Sequence, residues 1–261
     1  MRVLIYEPIH WGGHNLTYVR QLLRGLVDWP VKIVVATGVG AEKSEAYATQ
    51  LHPFSARLEA IRASVPAAQP GADWGRHYYD ALVQCIHDSA PDHVLIPTGD
   101  IVTAFAGSRR LRGGSTWPKN APEVDCNVIS GFYKATTIRG QKLAQLRTSL
   151  YSSYAPWTRT YTIDPFISVQ HPPWRWLHGS LPQILPDPLD TPVRAMRDDA
   201  RATIGLPTDR QIVGCVGHFA SHGRKNPIGL IQGFLKANLP PNSAVALIVC
   251  CPRTSSSLSA R

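Results

Sequence analysis

Trp11-Gly12-Gly13-His14 stands between an apolar run and a helical pattern, and its residue types suggest ligand binding. Adjacent glycines let a backbone approach a ligand, and the free N–H groups of a helix N-terminus attract a phosphate or carboxylate. His14, with an ordinary pKa of about 6.5, could accept a proton from a substrate hydroxyl. A tight turn without a ligand, with His14 as a capping or packing residue, explains the same residues. The dinucleotide-binding pattern G-x-G-x-x-G is absent here.

A second candidate segment lies between Gly217, which ends a strand pattern, and Pro227, which begins a helical pattern. Its adjacent cations, Arg224 and Lys225, stand just ahead of the predicted helix. Two cations at the end of a parallel strand, beside a helix N-terminus, suit a diphosphate. A basic turn that faces solvent is the alternative. Asp100 follows another predicted strand and is a further candidate polar group at a cleft, although a single aspartate there also suits a helix cap.

The charge of the chain favours anionic partners. The 261 residues carry a net charge of +9, from 27 basic and 18 acidic residues with His neutral. Residues 105–159 alone hold nine basic and two acidic residues. Such a stretch suits a phosphate or an anionic membrane surface, and a solvated basic surface explains it equally well. Because no nucleic-acid-binding motif accompanies the charge, we expect no nucleic acid among the partners.

The elements that position these residues alternate between strands and helices. Residues 2–6 form an apolar strand pattern, residues 16–27 carry Leu and Val at spacings of three and four, and residues 31–36 are rich in β-branched side chains. These are the marks of a strand, a helix with one buried face and a buried parallel strand. We therefore expect an α/β fold with a doubly wound sheet. Further strand patterns lie at residues 93–97, 127–130, 160–163, 212–216 and 244–250.

A proline-rich segment divides the chain. Residues 164–193 contain seven prolines and the cluster Trp174-Arg175-Trp176, which is typical of a connection between domains. We predict a first domain at 1–185, a partial second domain at 186–252 and an unstructured tail at 253–261. The second domain has room for one βαβ unit, whereas a domain usually has roughly 100–150 residues.

Several classes of protein are excluded. The longest apolar run, residues 244–251, is eight residues long, against the roughly 20 that span a bilayer. The N-terminus lacks the long apolar run of a signal peptide, so we expect a cytoplasmic protein, with the basic stretch allowing peripheral contact with the inner membrane surface. The five cysteines show no metal-binding spacing, and we expect buried free thiols and no bound metal.

The order of these segments resembles the two-domain glycosyltransferases of the group-1 type, family 4. The resemblance covers most of the chain loosely and residues 185–237 more specifically. It implies two Rossmann-like domains of the glycosyltransferase B type that face each other across a cleft, the second one incomplete. The segments that carry it are residues 12–14, 186–190, 201–207, 216–217 and 224–227.

The resemblance also implies roles for the candidate residues. Lys225, with Arg224, would hold the diphosphate of a nucleotide-sugar donor, the backbone at Gly12 and Gly13 would lie beside it, and His14 would lie near the transferred sugar. We add Asp100 to His14 as a candidate catalytic residue. No D-x-D pattern, which accompanies metal-dependent sugar transfer in other folds, occurs in the chain. We therefore expect no metal and no cofactor other than the nucleotide diphosphate sugar.

Two features depart from the family pattern. The family usually has an Arg directly after the Gly of this strand, where the chain has His218, and Arg224 stands beside Lys225 instead. The family's second domain also continues to a motif of two glutamates separated by seven residues, which this sequence does not reach.

Two functions remain open from the sequence. The first is a glycosyltransferase that moves a hexosyl group from a nucleotide diphosphate sugar to a hydroxyl of a polysaccharide, cell-envelope or lipid-linked acceptor. The second is a truncated, catalytically inactive remnant or interaction module. The retained Gly-Gly-His and Arg-Lys segments favour the enzyme, and the missing glutamates favour the remnant.

Overall fold

Two compact units, Met1–Leu189 and Asp190–Arg261, make up the chain in the computed structural model. Each of them is an α/β structure. The residues that the structure describes are 1–10, 15–66, 73–114, 117–118, 120–129, 143, 146–147, 150–163, 183–185, 196–217, 227–237, 240 and 244–250.

One parallel sheet organises the first unit. Helices precede or follow most of its strands, as expected where a chain must cross over between parallel neighbours. The strands are β1 (Arg2–Glu7), β2 (Lys32–Gly38), β3 (Ala60–Val65), β4 (His93–Ile96), β5 (Glu123–Val128), β6 (Arg159–Thr162) and β7 (Gln183–Ile184). The helices are α1 (Asn15–Leu26), α2 (Glu45–Gln50), α3 (Trp74–Ser89) and α4 (Asp100–Leu111), with 3-10 turns at Ala41–Lys43 and His52–Arg57.

The strand order reverses at the centre of this sheet. The order is β3-β2-β1-β4-β5-β6-β7, and every paired neighbour runs parallel. The chain therefore moves outwards from β1 to β3, crosses through α3, and continues on the other side of β1 from β4 onwards. In open α/β sheets, such a reversal of strand order leaves a crevice at the carboxyl ends of the two strands beside it, which are β1 and β4 here.

The two faces of the sheet bury two apolar clusters. Side chains alternate along a strand, so Val3 and Ile5 of β1 pack with Leu16 and other residues of α1. Leu4 and Tyr6 point to the opposite face. There they pack with residues of α3 and α4, among them Tyr78, Leu82, Val102 and Ala106.

A glycine permits close packing between α4 and a later segment. A Cβ atom at Gly107, in the middle of α4, would collide with the backbone carbonyl oxygen of Tyr151. The backbones of the two segments thus touch where no side chain intervenes. Trp157, just beyond this segment, donates a hydrogen bond of 2.9 Å from Nε1 to Oγ1 of Thr103 on the same helix.

The second unit contains a two-stranded parallel sheet in its described part. Its strands are β8 (Gln211–Gly217) and β9 (Ala244–Cys250), and its helices are α5 (Arg197–Thr203) and α6 (Pro227–Lys236). Arg201 of α5 holds the turn that leads into β8. Its Nη1 donates to the carbonyl oxygens of Pro207, Thr208 and Arg210 at 3.2, 2.9 and 3.0 Å.

Most strands predicted from the sequence are confirmed, with one shifted boundary. The strand predicted at 127–130 begins earlier, at Glu123, and ends at Val128. Its charged residues Glu123 and Asp125 hid it from a search for apolar runs. The strand β3 and the helix α4 were not predicted. The sequence pattern at about 138–150 predicts a further helix, and this segment lies mostly outside the described residues. The predicted tail at 253–261 also lies outside them.

The packing at Gly107 gives a test of this fold. We expect Gly107→Ala to lower the free energy of unfolding by about 2–4 kcal/mol, because the new methyl group must push two backbones apart. Gly25→Ala in α1 is the matched control, since a Cβ there meets no atom within 4 Å. We expect this control to raise stability by about 0.5–1 kcal/mol through lower backbone entropy. Urea unfolding measures both, and equal effects of the two substitutions would contradict the described packing.

Candidate functional site

The crevice at the ends of β1 and β4 holds a buried hydrogen-bond network. Glu7, the last residue of β1, is fully buried, although a carboxyl group at the end of a strand could reach solvent. Its Oε1 accepts hydrogen bonds from the backbone N–H of Ile9 at 3.1 Å and from Nδ2 of Asn15 at 3.2 Å. Its Oε2 shares a hydrogen bond with Oγ1 of Thr98, in which Oε2 is the donor when the carboxyl is protonated. The same Nδ2 of Asn15 also donates to Oγ1 of Thr98 at 3.0 Å.

This network joins three elements at one point. Glu7 ends β1, Asn15 begins α1, and Thr98 lies between β4 and α4. The helix N-termini of α1 and α4 thus both start at the carboxyl edge of the sheet, where their free N–H groups favour negative charge. The geometry suits binding of an anionic or hydroxyl-bearing ligand at this edge.

Burial changes the ionisation of Glu7. Removal from water raises the pKa of this carboxyl from 4.5 to about 8, and the nearby Asp100 adds to the rise. The hydrogen bonds from Thr98, Asn15 and Ile9 act in the opposite direction, because they stabilise the charged form, but they do not overcome the cost of burial. At neutral pH the carboxyl of Glu7 is therefore mostly protonated, and it acts as a positioning residue for Asn15 and Thr98.

Two further buried oxygens lie near the carboxyl ends of other strands of this sheet. Thr37 of β2 is the register partner of Glu7, and Asn127 of β5 is the register partner of Tyr161 in β6. Within the described parts of the chain, neither Oγ1 of Thr37 nor Oδ1 of Asn127 has a hydrogen-bond partner. Buried polar atoms are usually paired, so this edge has hydrogen-bonding capacity to spare.

The loop after β1 crosses the end of β2. A Cβ atom at Gly38 would lie 2.6 Å from the carbonyl oxygen of Pro8 and 2.8 Å from Nδ1 of His10. Only a glycine permits this approach. Burial lowers the pKa of His10, which favours its neutral imidazole beside the segment that carries the Gly-Gly-His sequence.

Asp100 lies at the same edge, where it joins α4 to β5. It is the first residue of α4, and its Oδ2 accepts a hydrogen bond of 3.3 Å from the backbone N–H of Ile129. Next to it, the N–H of Gly99 donates to the backbone carbonyl of Asn127 at 2.8 Å. The structure thus places Asp100 near Glu7, and it gives this aspartate a bond to the end of β5.

The other predicted site residues lie outside the described residues. Gly12, Gly13 and His14 fall between the end of β1 and the start of α1, and Arg224 and Lys225 fall between β8 and α6. Their predicted roles stay predictions.

Sequence reasoning missed the residues that form the network. Glu7, Asn15 and Thr98 belong to no recognised ligand-binding motif. One signal was available: Glu7 is the first charged residue after an apolar strand, and Thr98 directly follows another strand and Pro97. Polar residues at the carboxyl ends of strands are the ones that face a ligand in open α/β sheets.

Two other properties concern only the part of the chain that the structure describes. In that part, no helix combines the length and the apolar character needed to cross a membrane. In the same part, no three His, Cys, Asp or Glu side chains come together as a metal-binding group.

Cys85 and Cys126 are buried free thiols, and burial raises the pKa of Cys126, which makes its thiol unreactive.

Comparison with known proteins relates the chain to others by fold alone. No protein-family profile and no curated protein matches it. The structure of Anabaena HepE in complex with UDP and glucose is similar, with a TM-score of 0.54 and 13% identity over 95% of this chain and 60% of HepE. UGT2 of Phytolacca americana, complexed with UDP-2fluoro-glucose and pterostilbene, gives a TM-score of 0.50 and 10% identity over 96% of this chain and 72% of that protein.

These similarities confirm the expected fold class. The protein has the α/β architecture of Rossmann-like units found in glycosyltransferases of the B type. The chain spans about 60% of the length of HepE. Since one fold can host many reactions, the similarity alone does not assign a reaction to this chain.

The buried carboxyl of Glu7 predicts a specific pH dependence of stability. Because its pKa is raised to about 8 in the folded protein, the unfolded chain loses this proton at lower pH than the folded protein does. The free energy of unfolding should therefore fall as pH rises from about 4.5 to about 8, relative to that of Glu7→Gln, which cannot ionise. The full change is on the order of 5 kcal/mol. Urea unfolding across this pH range measures it.

A control distinguishes burial from a general loss of charge. Glu45→Gln removes a carboxylate from an exposed position at the start of α2. For each variant, the free energy of unfolding is subtracted from that of the wild type at every pH. If this difference changes with pH no more for Glu7→Gln than for Glu45→Gln, Glu7 is not a buried, protonated group.

Proposed function

We propose that the chain is a glycosyltransferase of the group-1 type, family 4. In this proposal it transfers a hexosyl group from a nucleotide diphosphate sugar to a hydroxyl of a saccharide or lipid-linked acceptor of a polysaccharide or cell envelope. The observation that carries the proposal is the polar crevice at the reversal of strand order, where Glu7, Asn15 and Thr98 hold the start of α1 beside β4.

The position of the crevice supports this function. In open α/β sheets, ligands bind outside the carboxyl ends of the strands where the order reverses. The start of α1 adds a partial positive charge at this place, and the segment at residues 12–14 leads directly into it. HepE, which shares the fold, was solved with UDP and glucose, the parts of a nucleotide-sugar donor.

In the proposed reaction the sugar moves from the diphosphate to the acceptor oxygen, and the charges that develop on these two groups indicate the role of each residue. The acceptor oxygen forms a bond to the anomeric carbon of the sugar, while the bond from that carbon to the diphosphate breaks and the diphosphate leaves with the electron pair. His14 takes the proton of the acceptor hydroxyl. Arg224 and Lys225, with the backbone at Gly12 and Gly13, stabilise the departing diphosphate, because cations and N–H groups act strongly where water is excluded. The proposal includes no metal.

Asp100 has a supporting role in this proposal. Its carboxyl lies at the start of α4, where it binds the N–H of Ile129. A negative charge at this place raises the pKa of Glu7 and so helps to keep that carboxyl neutral. Asp100 therefore acts on the site through Glu7 as well as through any contact with the acceptor.

The basic stretch suits an acceptor held at a membrane. Arg110 and Arg112 at the end of α4 are exposed, and Leu111 between them is 40% exposed. Cations beside an exposed apolar side chain suit an anionic lipid surface. We therefore propose a cytoplasmic protein that contacts the inner membrane surface peripherally.

Ligand-dependent thermal unfolding tests the proposed donor site. A ligand that binds only the folded protein raises its unfolding temperature, and at about 100 times its Kd it stabilises the protein by about 2.7 kcal/mol. We expect millimolar UDP or GDP, or one of their hexose conjugates, to raise the unfolding temperature by several degrees. Lys225→Ala should remove this shift, because the substitution deletes a cation that binds the diphosphate.

Lys236→Ala is the matched control, since it removes the same charge from an exposed position on α6 in the same unit. It should leave the shift unchanged. If no nucleotide shifts the unfolding temperature of the folded wild-type chain, the active transferase is contradicted, and the catalytically inactive remnant becomes the better account.

A further inference from the structure

A cavity of about 360 Å³ lies beside α1, on the face of the sheet that α1 only partly covers. We call it the α1 cavity. Helix α1 packs on β1 and β2 through the apolar cluster that includes Val3 and Ile33. The neighbouring strands β4, β5 and β6 extend past the helix on the same face. The cavity fills the angle between the helix and these strands, and its volume lies within the usual range of small-molecule pockets.

The walls of the α1 cavity are mostly apolar. Leu22 of α1 forms one wall, and Leu95, Ile96 and Pro97 at the end of β4 form another. Pro97 directly precedes Thr98, so the cavity adjoins the crevice that contains Glu7. Walls of this composition favour an apolar ring over a phosphate or an extended sugar chain.

The acidic residue at this cavity is already neutralised by its own neighbours. Asp125 binds Arg159 through two hydrogen bonds, of 2.6 Å from Nε to Oδ1 and 2.9 Å from Nη2 to Oδ2. His93 adds a contact of 3.2 Å from Nε2 to Oδ2. Because both carboxylate oxygens of Asp125 already accept hydrogen bonds, this residue does not require a cationic ligand. The cavity therefore suits a neutral molecule.

Asn127 supplies hydrogen-bonding capacity that the protein does not use. This residue lines the α1 cavity and is 7% exposed, and its Oδ1 has no hydrogen-bond partner among the described residues. Its backbone carbonyl, in contrast, is bound by Gly99. An unpaired buried oxygen is costly, and a ligand that donates a hydrogen to it removes that cost. Rotation about the terminal torsion of asparagine is soft, so the amide can turn its oxygen towards such a donor.

We propose that the α1 cavity binds a small neutral ring compound that carries one hydroxyl or N–H donor, which Oδ1 of Asn127 accepts. This site goes beyond the proposed function, because it involves no nucleotide and none of the residues assigned to the diphosphate.

Binding of 2-naphthol to the full chain tests the proposal, with calorimetry as the measurement and no nucleotide present. The compound 2-methoxynaphthalene is the matched ligand, since it keeps the rings and the oxygen but cannot donate a hydrogen. We expect 2-naphthol to bind about tenfold more tightly, the size expected for one satisfied buried acceptor. Absence of binding, or equal affinity of the two compounds, would overturn the proposal.

Two variants locate the binding. Asn127→Leu keeps the approximate size of the side chain, and it should bring the two affinities together. Leu22→Trp fills the cavity from α1 and should abolish binding of both compounds, whereas Leu111→Trp, at an exposed position on α4, should not. Circular dichroism verifies that each variant is folded.

Sedimentation of the same proteins tests a different occupant. If the wild type forms a dimer that Leu22→Trp disrupts, a second copy of the chain occupies the cavity and the small-molecule site is overturned. Naphthol binding that persists in a folded Leu22→Trp variant would overturn it as well. None of these results depends on the nucleotide experiment, so the proposed function and this inference can fail separately.

Discussion

The burial of one carboxyl group constrains the centre of the first unit. Glu7 ends the strand β1 without access to water, and it is kept there by hydrogen bonds with the loop after β1, with α1 and with Thr98. A carboxyl in this position is stable only if it is hydrogen-bonded or protonated, and here it is both at neutral pH. The start of α1 and the end of β4 are thereby fixed relative to each other at the place where the strand order reverses.

The candidate site follows from this fixed junction. Two helices begin at the same edge of the sheet, Asp100 is the first residue of one of them, and the loop after β1 crosses the end of β2 at Gly38. The apolar α1 cavity adjoins the edge on one side. This edge combines helix N-termini, buried oxygens without a hydrogen-bond partner among the described residues, and an adjoining apolar cavity. It is therefore suited to a ligand that has both a charged and an apolar part.

The fold was predictable from the sequence where periodicity was strong. The run of apolar residues in β1 and the spacing of Leu16, Val19 and Leu23 identify a strand and a helix with one buried face. In β5, Glu123 and Asp125 concealed the strand, because these charged residues, which bind Arg159 and His93, interrupt the apolar pattern. The Glu7 network was not predictable, since Glu7 and Thr98 are 91 residues apart and meet only through the parallel sheet.

Hydrogen exchange with and without saturating UDP-glucose tests most directly whether the reversal of strand order is the binding edge. The account predicts slower exchange in peptides that cover residues 7–19 and 97–103, at the carboxyl ends of β1 and β4. It predicts no change at the opposite edge, where Arg2 binds Glu59 and Asp92. Protection confined to that opposite edge, or its absence from both carboxyl-end peptides at saturating ligand, would contradict the account.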